Sequence, residues 1–435
     1  MHEKHRRKQR NMAPLVIAAV LAAPVRSLAA TYYVRQTVGD DTHDGLSAAT
    51  AWRGISKLST TMQAGDTVYI GPGLYREQVT IMNGGTIDKR VVFIADTTGQ
   101  HTGDPPGVVM ITGADPVDEK VFTPQGAPGV YQADLPYKVA GVVEMDGAQY
   151  RYKRARDTKE HLLGKLSLLD VVLKLPSSHF YDEDAKRLYI HTSDGKPPTT
   201  HEIELIRRGS GIGMTDKHYV TVMGFTFRNT GDAGINFFQG SSHGIAVNNT
   251  SYGSRQGIRV YGATDILVYG NTLFRNDNSG VYFAKASVNG LAIDNITYEN
   301  IKGVRWSSQS VGAVAIDNVT FDNREAGIAI EEANGAILRR NTLANNKKTQ
   351  LMVIKADYDS ETNCFRNGGA DQLTADFVFV DHYKTLAEYQ RGKHQDLHSR
   401  EGACGTLPAK IDVRKLHAET MSYTERARKA LAGSR

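Results

Sequence analysis

The sequence predicts an all-β solenoid, a parallel β-helix, from three observations. Its centre repeats every 22 to 25 residues between about 220 and 346. Each period holds short alternating apolar segments, too short for helices. Asn and Gly return at fixed places in every period. Several columns in register over more than 100 residues mark a repeat architecture.

The repeat can be laid out column by column. Segments such as Leu291-Ala-Ile-Asp-Asn-Ile-Thr and Val314-Ala-Ile-Asp-Asn-Val-Thr align on Gly224, Asn249, Asn271, Asn295, Asn318 and Asn341. Five residues on lie Asn229, Ser254, Asn276, Asn300, Asn323 and Asn346. A third column, Gly234, Gly257, Gly280, Gly303 and Gly327, opens a second short strand. One period cannot bury its own apolar face. Coils stacked about 4.8 Å apart can, by pairing their strands around a common core. Asn is expected where the chain turns, because it tolerates left-handed backbone and its amides can bond from coil to coil. Gly marks the next corner. The sequons at Asn249, Asn295 and Asn318 then follow from the repeat. Buried ladder residues are no glycosylation sites.

Four regions are expected: residues 1–29, an export signal; 30–205, an N-terminal cap with irregular early coils and an insertion; 206–361, regular coils; and 362–435, a C-terminal cap with a helical tail. A solenoid must close its open ends or aggregate by them. Residues 416–431 read as an amphipathic helix packed on the cap or side. The N-terminus has a basic stretch, an apolar run from Met12 to Ala23, and small residues at Ala29 and Ala30. That run is short of the ~20 residues that span a bilayer, and no later segment qualifies. A secreted or periplasmic protein is expected, with an uncleaved anchor as the alternative. The net charge of +5 belongs to residues 1–29, where six Lys/Arg face one acid. The remainder is balanced, which argues against a nucleic-acid partner.

Two cysteines, Cys364 and Cys404, lie near the C-terminus. Export favours a disulfide between them, with two unpaired buried thiols as the alternative. No further Cys or His stands at metal-ligand spacing beside them.

Several segments resemble exported right-handed parallel β-helix proteins of the pectate-lyase-like superfamily. These are Tyr32-Tyr-Val-Arg, Gly39-Asp-Asp-Thr-His-Asp-Gly, Ala51-Trp-Arg-Gly-Ile, the run Ala64 to Glu77, Phe180 to Ile190, and Thr385 to Ser399. The resemblance covers nearly all of the chain beyond the signal. It implies right-handedness and a carbohydrate-active role. The superfamily holds pectate and alginate lyases, glycoside hydrolases, uronan epimerases and members without known activity, and fold does not choose among them.

Alternation places chemistry on one strand face. With Ile235, Ile258, Val281, Val304 and Ile328 inward, the outward column is Asn236, Arg259, Tyr282, Arg305 and Ala329. Cation, aromatic and cation on consecutive coils suit an acidic sugar chain: Tyr stacks on a ring, and Arg pairs with a carboxylate. Uronate β-elimination needs a cation against the developing enolate and a base for the adjacent proton. Arg259 or Arg305 would supply the cation, and Tyr282 or Lys285 the base or acid. The candidate substrate-binding residues are Asn236, Tyr261, Lys153, Arg154 and Glu331. A solvated face, its Arg and Lys stems covering the sheet, is the plain alternative.

A hydrolase needs two carboxylates. Glu331 and Glu332 are neighbours on a strand and point to opposite faces. Asp294 and Asp317 share a column in adjacent coils and suit Ca²⁺ or an acid–nucleophile pair. Arg340 follows in that column, so a surface ion-pair ladder is the simpler reading. Some lyases of the superfamily use Ca²⁺, but the aspartate cluster they place near a lysine is missing around Lys285. Asp40-Asp-Thr-His-Asp-Gly45 starts like a calcium loop and lacks the Glu at its twelfth position. The basic run Arg151 to Arg156 lies in the insertion and either reaches an acidic glycan or stays solvated.

The expected function is an exported, monomeric carbohydrate-active protein on a uronic-acid-containing polysaccharide, with β-elimination preferred. A glycoside hydrolase, a uronan epimerase, and a non-catalytic glycan-binding or envelope scaffold protein are the alternatives.

Overall fold

A computed structural model describes residues 29–146, 150–366, 375–376 and 381–422. The export signal and the last part of the expected tail helix lie outside these residues; 413–422 are helical.

Three parallel sheets run the length of a β-helix. Sheet I has ten strands, from Thr31–Val34 through Val220–Met223 to Tyr358–Glu361. Sheet II has ten, from Gly73–Tyr75 through Thr226–Arg228 to Arg400–Glu401. Sheet III has eight, from Val79–Ile81 through Ser210–Thr215 to Thr349–Ile354. Inward residues from all three form one continuous core. Its largest members include Phe93, Phe225, Phe227, Phe237, Phe283 and Trp306, with Phe283 and Trp306 stacked at 5.1 Å.

Strand pairing corrects two starting points of the expected columns. Phe225, not Gly224, stands where Asn249 stands in the next coil, and its backbone N–H donates to Asn249 Oδ1 at 3.0 Å. Thr230, not Asn229, aligns with Ser254. From there the ladders are regular. Asn271, Asn295, Asn318 and Asn341 each donate from Nδ2 to the Oδ1 of the next ladder Asn at 3.0 Å, ending on Asn363. The second ladder runs Asn276, Asn300, Asn323, Asn346 and closes on Gln350.

The reason for Asn also differs from the expectation. The left-handed residues are the ones just before each rung: Asn248, Gly270, Asp294, Asp317 and Arg340. The ladder Asn sits at the turn as a buried amide that satisfies itself above, below and along the backbone. Burial at 0–1% exposure removes Asn249, Asn295 and Asn318 from glycan attachment. The glycine column is needed for close approach, not for positive φ. A Cβ on Gly280 would meet the Gly303 carbonyl oxygen at 2.7 Å.

The chain leaves the coils after Val109–Thr112 in sheet II and rejoins at Ser210–Thr215 in sheet III. Between them lie an antiparallel sheet of four strands and a mixed sheet of five, in which Lys153–Arg154 pairs parallel with Ser178–Asp182. The insertion therefore springs from the corner between sheets II and III. A buried ion pair fixes its root: Glu204 takes Arg228 at 3.0 Å and Arg76 at 2.8 Å, with both Glu204 and Arg228 fully buried.

The C-terminal segment crosses the outside of sheet II. There Tyr252, Phe274, Tyr298 and Phe321 stack at 4.8–5.1 Å. Leu407, Ile411, Val413 and Leu416 pack over them. Cys364 and Cys404 form a disulfide with Cα atoms 5.6 Å apart, which pins the start of this segment to the coils.

Candidate active site on the outer face of sheet III

Sheet II is covered by the C-terminal segment. The outer face of sheet III carries a polar surface beside the insertion. Its strands pair Asn236 with Arg259, Arg259 with Tyr282, Tyr282 with Arg305, and Arg305 with Ala329, so these side chains share one column. Their inward neighbours Ile235, Ile258, Val281, Val304 and Ile328 are fully buried.

Two clusters occupy the face. In the first, the Arg259 guanidinium lies 4.2 Å above the Tyr261 ring and pairs with Asp232. Tyr261 stacks on Phe238 at 5.2 Å and 2°. Lys285, at the strand end, stands 5.3 Å over the same Tyr261 ring. Asn236 is partly buried, and its Oδ1 has no partner among the described residues.

In the second cluster, Arg305 lies 4.9 Å over the Tyr282 ring. Arg305 Nε donates to Glu331 at 2.6 Å, and Nη1 reaches Asn278 at 3.4 Å. The Tyr282 hydroxyl accepts from Ser307 Oγ at 3.1 Å. Lys302 Nζ is 2.5 Å from Glu331 and 3.5 Å from Glu325. Burial alone would raise the Glu325 carboxyl; Lys302 and Lys348 outweigh it and hold it below the usual carboxylate range.

Both guanidinium groups of the column are already paired. Asp232 and Glu331 come off neighbouring turns and coils on the same face, and each already balances one Arg. Glu331 is an ion-pair partner, 9% exposed, and Glu332 follows it in left-handed backbone. Lys302, Asp232, Asn278 and Ser307 were not singled out in the sequence. Lys302 was hidden because alternation counted back from Val304 turns it inward. The strand pairing skips the Gly280–Gly303 pair, and the Lys302 ammonium emerges among the outward residues.

Lys153 and Arg154 lie on the five-stranded sheet of the insertion, apart from the sheet III column. Their neighbour Arg151 reaches the coils: Nε is 2.9 Å from Asp277, and Nη1 donates to the Thr230 and Gly253 carbonyls at 3.1 and 3.0 Å. Asp317 is held by Arg340 through two bonds of 2.9 and 2.8 Å, the ladder ion pair, so a cation shared with Asp294 would have to displace that arginine. Sequence reading also passed over Glu144, Asp146 and His201 in the insertion, whose ligand-type atoms lie within 4.8 Å of one another. Glu144 already accepts from Tyr152 at 2.5 Å and Ser193 at 2.6 Å.

Residues 188–368 match the family model described as "Periplasmic copper-binding protein (NosD)". No curated protein matches the chain. Among solved structures, a complex of XylC with xylose is similar at 15% identity and a TM-score of 0.56, over 79% of this chain and 67% of that one. A lacto-N-biosidase from Eubacterium ramulus is similar at 13% identity and 0.49, over 86% and 67%. The pectate lyase Pel9A is similar at 12% identity and 0.48, over 88% and 80%. Among the described residues no helix is long and apolar enough to cross a membrane. By fold, it is a parallel β-helix.

Proposed function

We propose that the chain is a carbohydrate-active protein that acts on an acidic polysaccharide along the outer face of sheet III, by β-elimination. The observation that carries this reading is the position of Tyr282. It stands in register between Arg259 and Arg305 on consecutive coils, its ring against one guanidinium and its hydroxyl bonded to Ser307. A uronate carboxylate would share Arg259 with Asp232. Its negative charge grows as the neighbouring proton leaves, and a fixed cation stabilises that state more than the ground state. Tyr282 and Lys285 are the proton-transfer groups of this reading. Arg305, held on both sides by Glu331 and Asn278, orients the Tyr282 ring. Phe238, Tyr261 and Asn236 would receive neighbouring sugar units.

A hydrolase would draw on Glu325 and Glu331, which converge on Lys302. A general acid needs a raised pKa, and Glu325 is shifted the other way. Epimerisation shares the first proton abstraction and ends without an unsaturated product. A binding or scaffold protein would show affinity without turnover. The Ca²⁺ possibility stays with Asp294 and Asp317, at the cost of the Arg340 pair. Copper, named for the matching family, is a poor fit to Glu144, Asp146 and His201. That group offers one nitrogen and two engaged carboxylates.

The test is incubation of the purified chain with a panel of uronic-acid polysaccharides, with and without Ca²⁺, following ultraviolet absorbance of unsaturated ends and release of reducing ends. Rising absorbance supports elimination. Reducing ends without absorbance would redirect the assignment to the carboxylates. Silence in both, with binding retained, would favour the scaffold reading.

A further inference from the structure

The three sheets differ in what they turn outward. Sheet III shows polar side chains, and the aromatic outer face of sheet II lies under the C-terminal segment. Sheet I is apolar outside as well as inside. One outward column runs Ile94, Met223, Val247, Tyr269, Ile293 and Ile316 before it reaches Arg339. The other, two residues earlier on each strand, runs from Val92 through Leu267 and Leu291 to Ile337, with Thr221 its one polar member. Between the columns the inward Val222, Val268 and Leu338 sit in the core.

Runs such as Leu267-Val-Tyr and Leu291-Ala-Ile are thus apolar at every position, the pattern of parallel strands covered on both faces. Here one face is open. Tyr269 and Ile337 are each 41% exposed, and the other members of both columns are partly exposed. Among the described residues, no hydrophobic cluster includes either column.

The face has the size of an interface. The ten strands of sheet I, about 4.8 Å apart and about 15 Å across with their turns, present roughly 700 Å², close to the ~800 Å² that each partner gives to a standard interface. Its border is graded in charge. Lys89, Arg90 and Lys217 flank the first half, against Asp88 and Asp216. Arg90 Nε donates to Thr221 Oγ1 at 2.9 Å, on the face itself. Asp294, Asp317, Glu332, Asp357, Asp359 and Glu361 flank the second half, against Arg339, Arg340 and Lys355. An anionic lipid surface would be repelled by that acidic half. A second copy, turned end for end, sets the basic half against the acidic one.

We propose that sheet I is the interface of a two-fold dimer, two copies packed face to face with their coil axes antiparallel, in place of the single chain expected from the sequence. Tyr269 lies on the fourth of the seven strands between Val91–Ala95 and Ala336–Arg339, so it meets its own equivalent near the axis. A central exposed aromatic is the usual anchor of such a contact. The outer face of sheet III stays open on both copies.

Sedimentation equilibrium of the full chain over a range of concentrations tests it, with twice the chain mass expected. Ile293→Arg should weaken association by roughly 100-fold or more, because it places a charge in the apolar contact. Arg156→Gln, on the insertion, should leave association unchanged. The chain holds only Cys364 and Cys404, bonded to each other, so Tyr269→Cys adds a single thiol. Oxidation should turn that variant into a covalent dimer on a non-reducing gel. Ile316→Cys, two coils from the axis, should not cross-link. Circular dichroism checks that each variant folds, and the cysteine variants test the contact without a new charge. A mass of one chain at every concentration, a dimer indifferent to Ile293→Arg, or cross-linking through Ile316→Cys instead of Tyr269→Cys would overturn the proposal. A single chain that floats with phosphatidylcholine vesicles, and loses this in Ile293→Arg, would give the face to lipid and overturn it as well.

Discussion

Glu331 Oε2 accepts from Arg305 Nε at 2.6 Å across adjacent coils, and Glu331 Oε1 takes the Lys302 ammonium at 2.5 Å. One carboxylate thus balances two cations that are largely shielded from water, at 10% and 22% side-chain exposure. Glu331→Gln removes the counter-charge of Arg305 and leaves Lys302 only the more distant Glu325 at 3.5 Å. The expected loss is roughly 3 kcal/mol of stability, as when a buried pair loses one member. Urea denaturation of the two proteins measures it, and an unchanged midpoint would mean that solvent already screens the cluster.

Tyr282→Phe keeps the ring against Arg305 and removes only the hydroxyl. If Tyr282 transfers the proton, formation of unsaturated product should fall by at least roughly 100-fold while polysaccharide binding is retained. A variant that keeps its rate would transfer the role to Lys285.

The asparagine ladder should be costly to interrupt. Asn295 Oδ1 accepts from both the backbone and the amide of Asn271, and its Nδ2 donates to Asn318 and to the Val268 and Ile293 carbonyls. Asn295→Leu preserves volume but strands several buried groups, each worth about 1–3 kcal/mol. A loss of at least roughly 3 kcal/mol is expected in denaturant unfolding.

His179 gives the insertion an acid sensitivity. Its folded-state value is depressed to about 3 from an ordinary 6.5. The stability it contributes is complete above about 6.5 and is lost as pH falls toward 3, by about 1.4 kcal/mol per pH unit within that window. Thermal unfolding of the wild type and of His179→Gln, at pH 7.5 and at pH 4.5, should show a smaller acid loss in the variant.

Reduction of the Cys364–Cys404 disulfide opens a loop of 40 residues. The expected loss is about 4 kcal/mol by the chain-entropy estimate. The C-terminal segment should then lift more readily from Tyr252, Phe274, Tyr298 and Phe321. Faster proteolysis between 405 and 420 under reducing conditions would report it.

Most of the solenoid is legible in the sequence. Ile235, Ile258, Val281, Val304 and Ile328 were assigned inward by alternation, and Asn236 to Arg305 outward, and the strand pairing agrees. What alternation could not supply was charge pairing. Arg259 and Asp232 are 27 residues apart, and Arg305 and Glu331 are 26 apart. Both pairs exist only because one coil stacks on the next.

The sequence by itself determined the repeat, the parallel stacking and the ladder, because a period too short to bury its own face must stack. Tertiary structure decided the rest: which guanidinium is already neutralised, that Lys302 turns outward where the pairing skips Gly303, and that the insertion sets His179 beside Arg154 around a cavity. Those outcomes depend on contacts between segments whose spacing in the chain carries no periodic signal, so only the folded packing could reveal them.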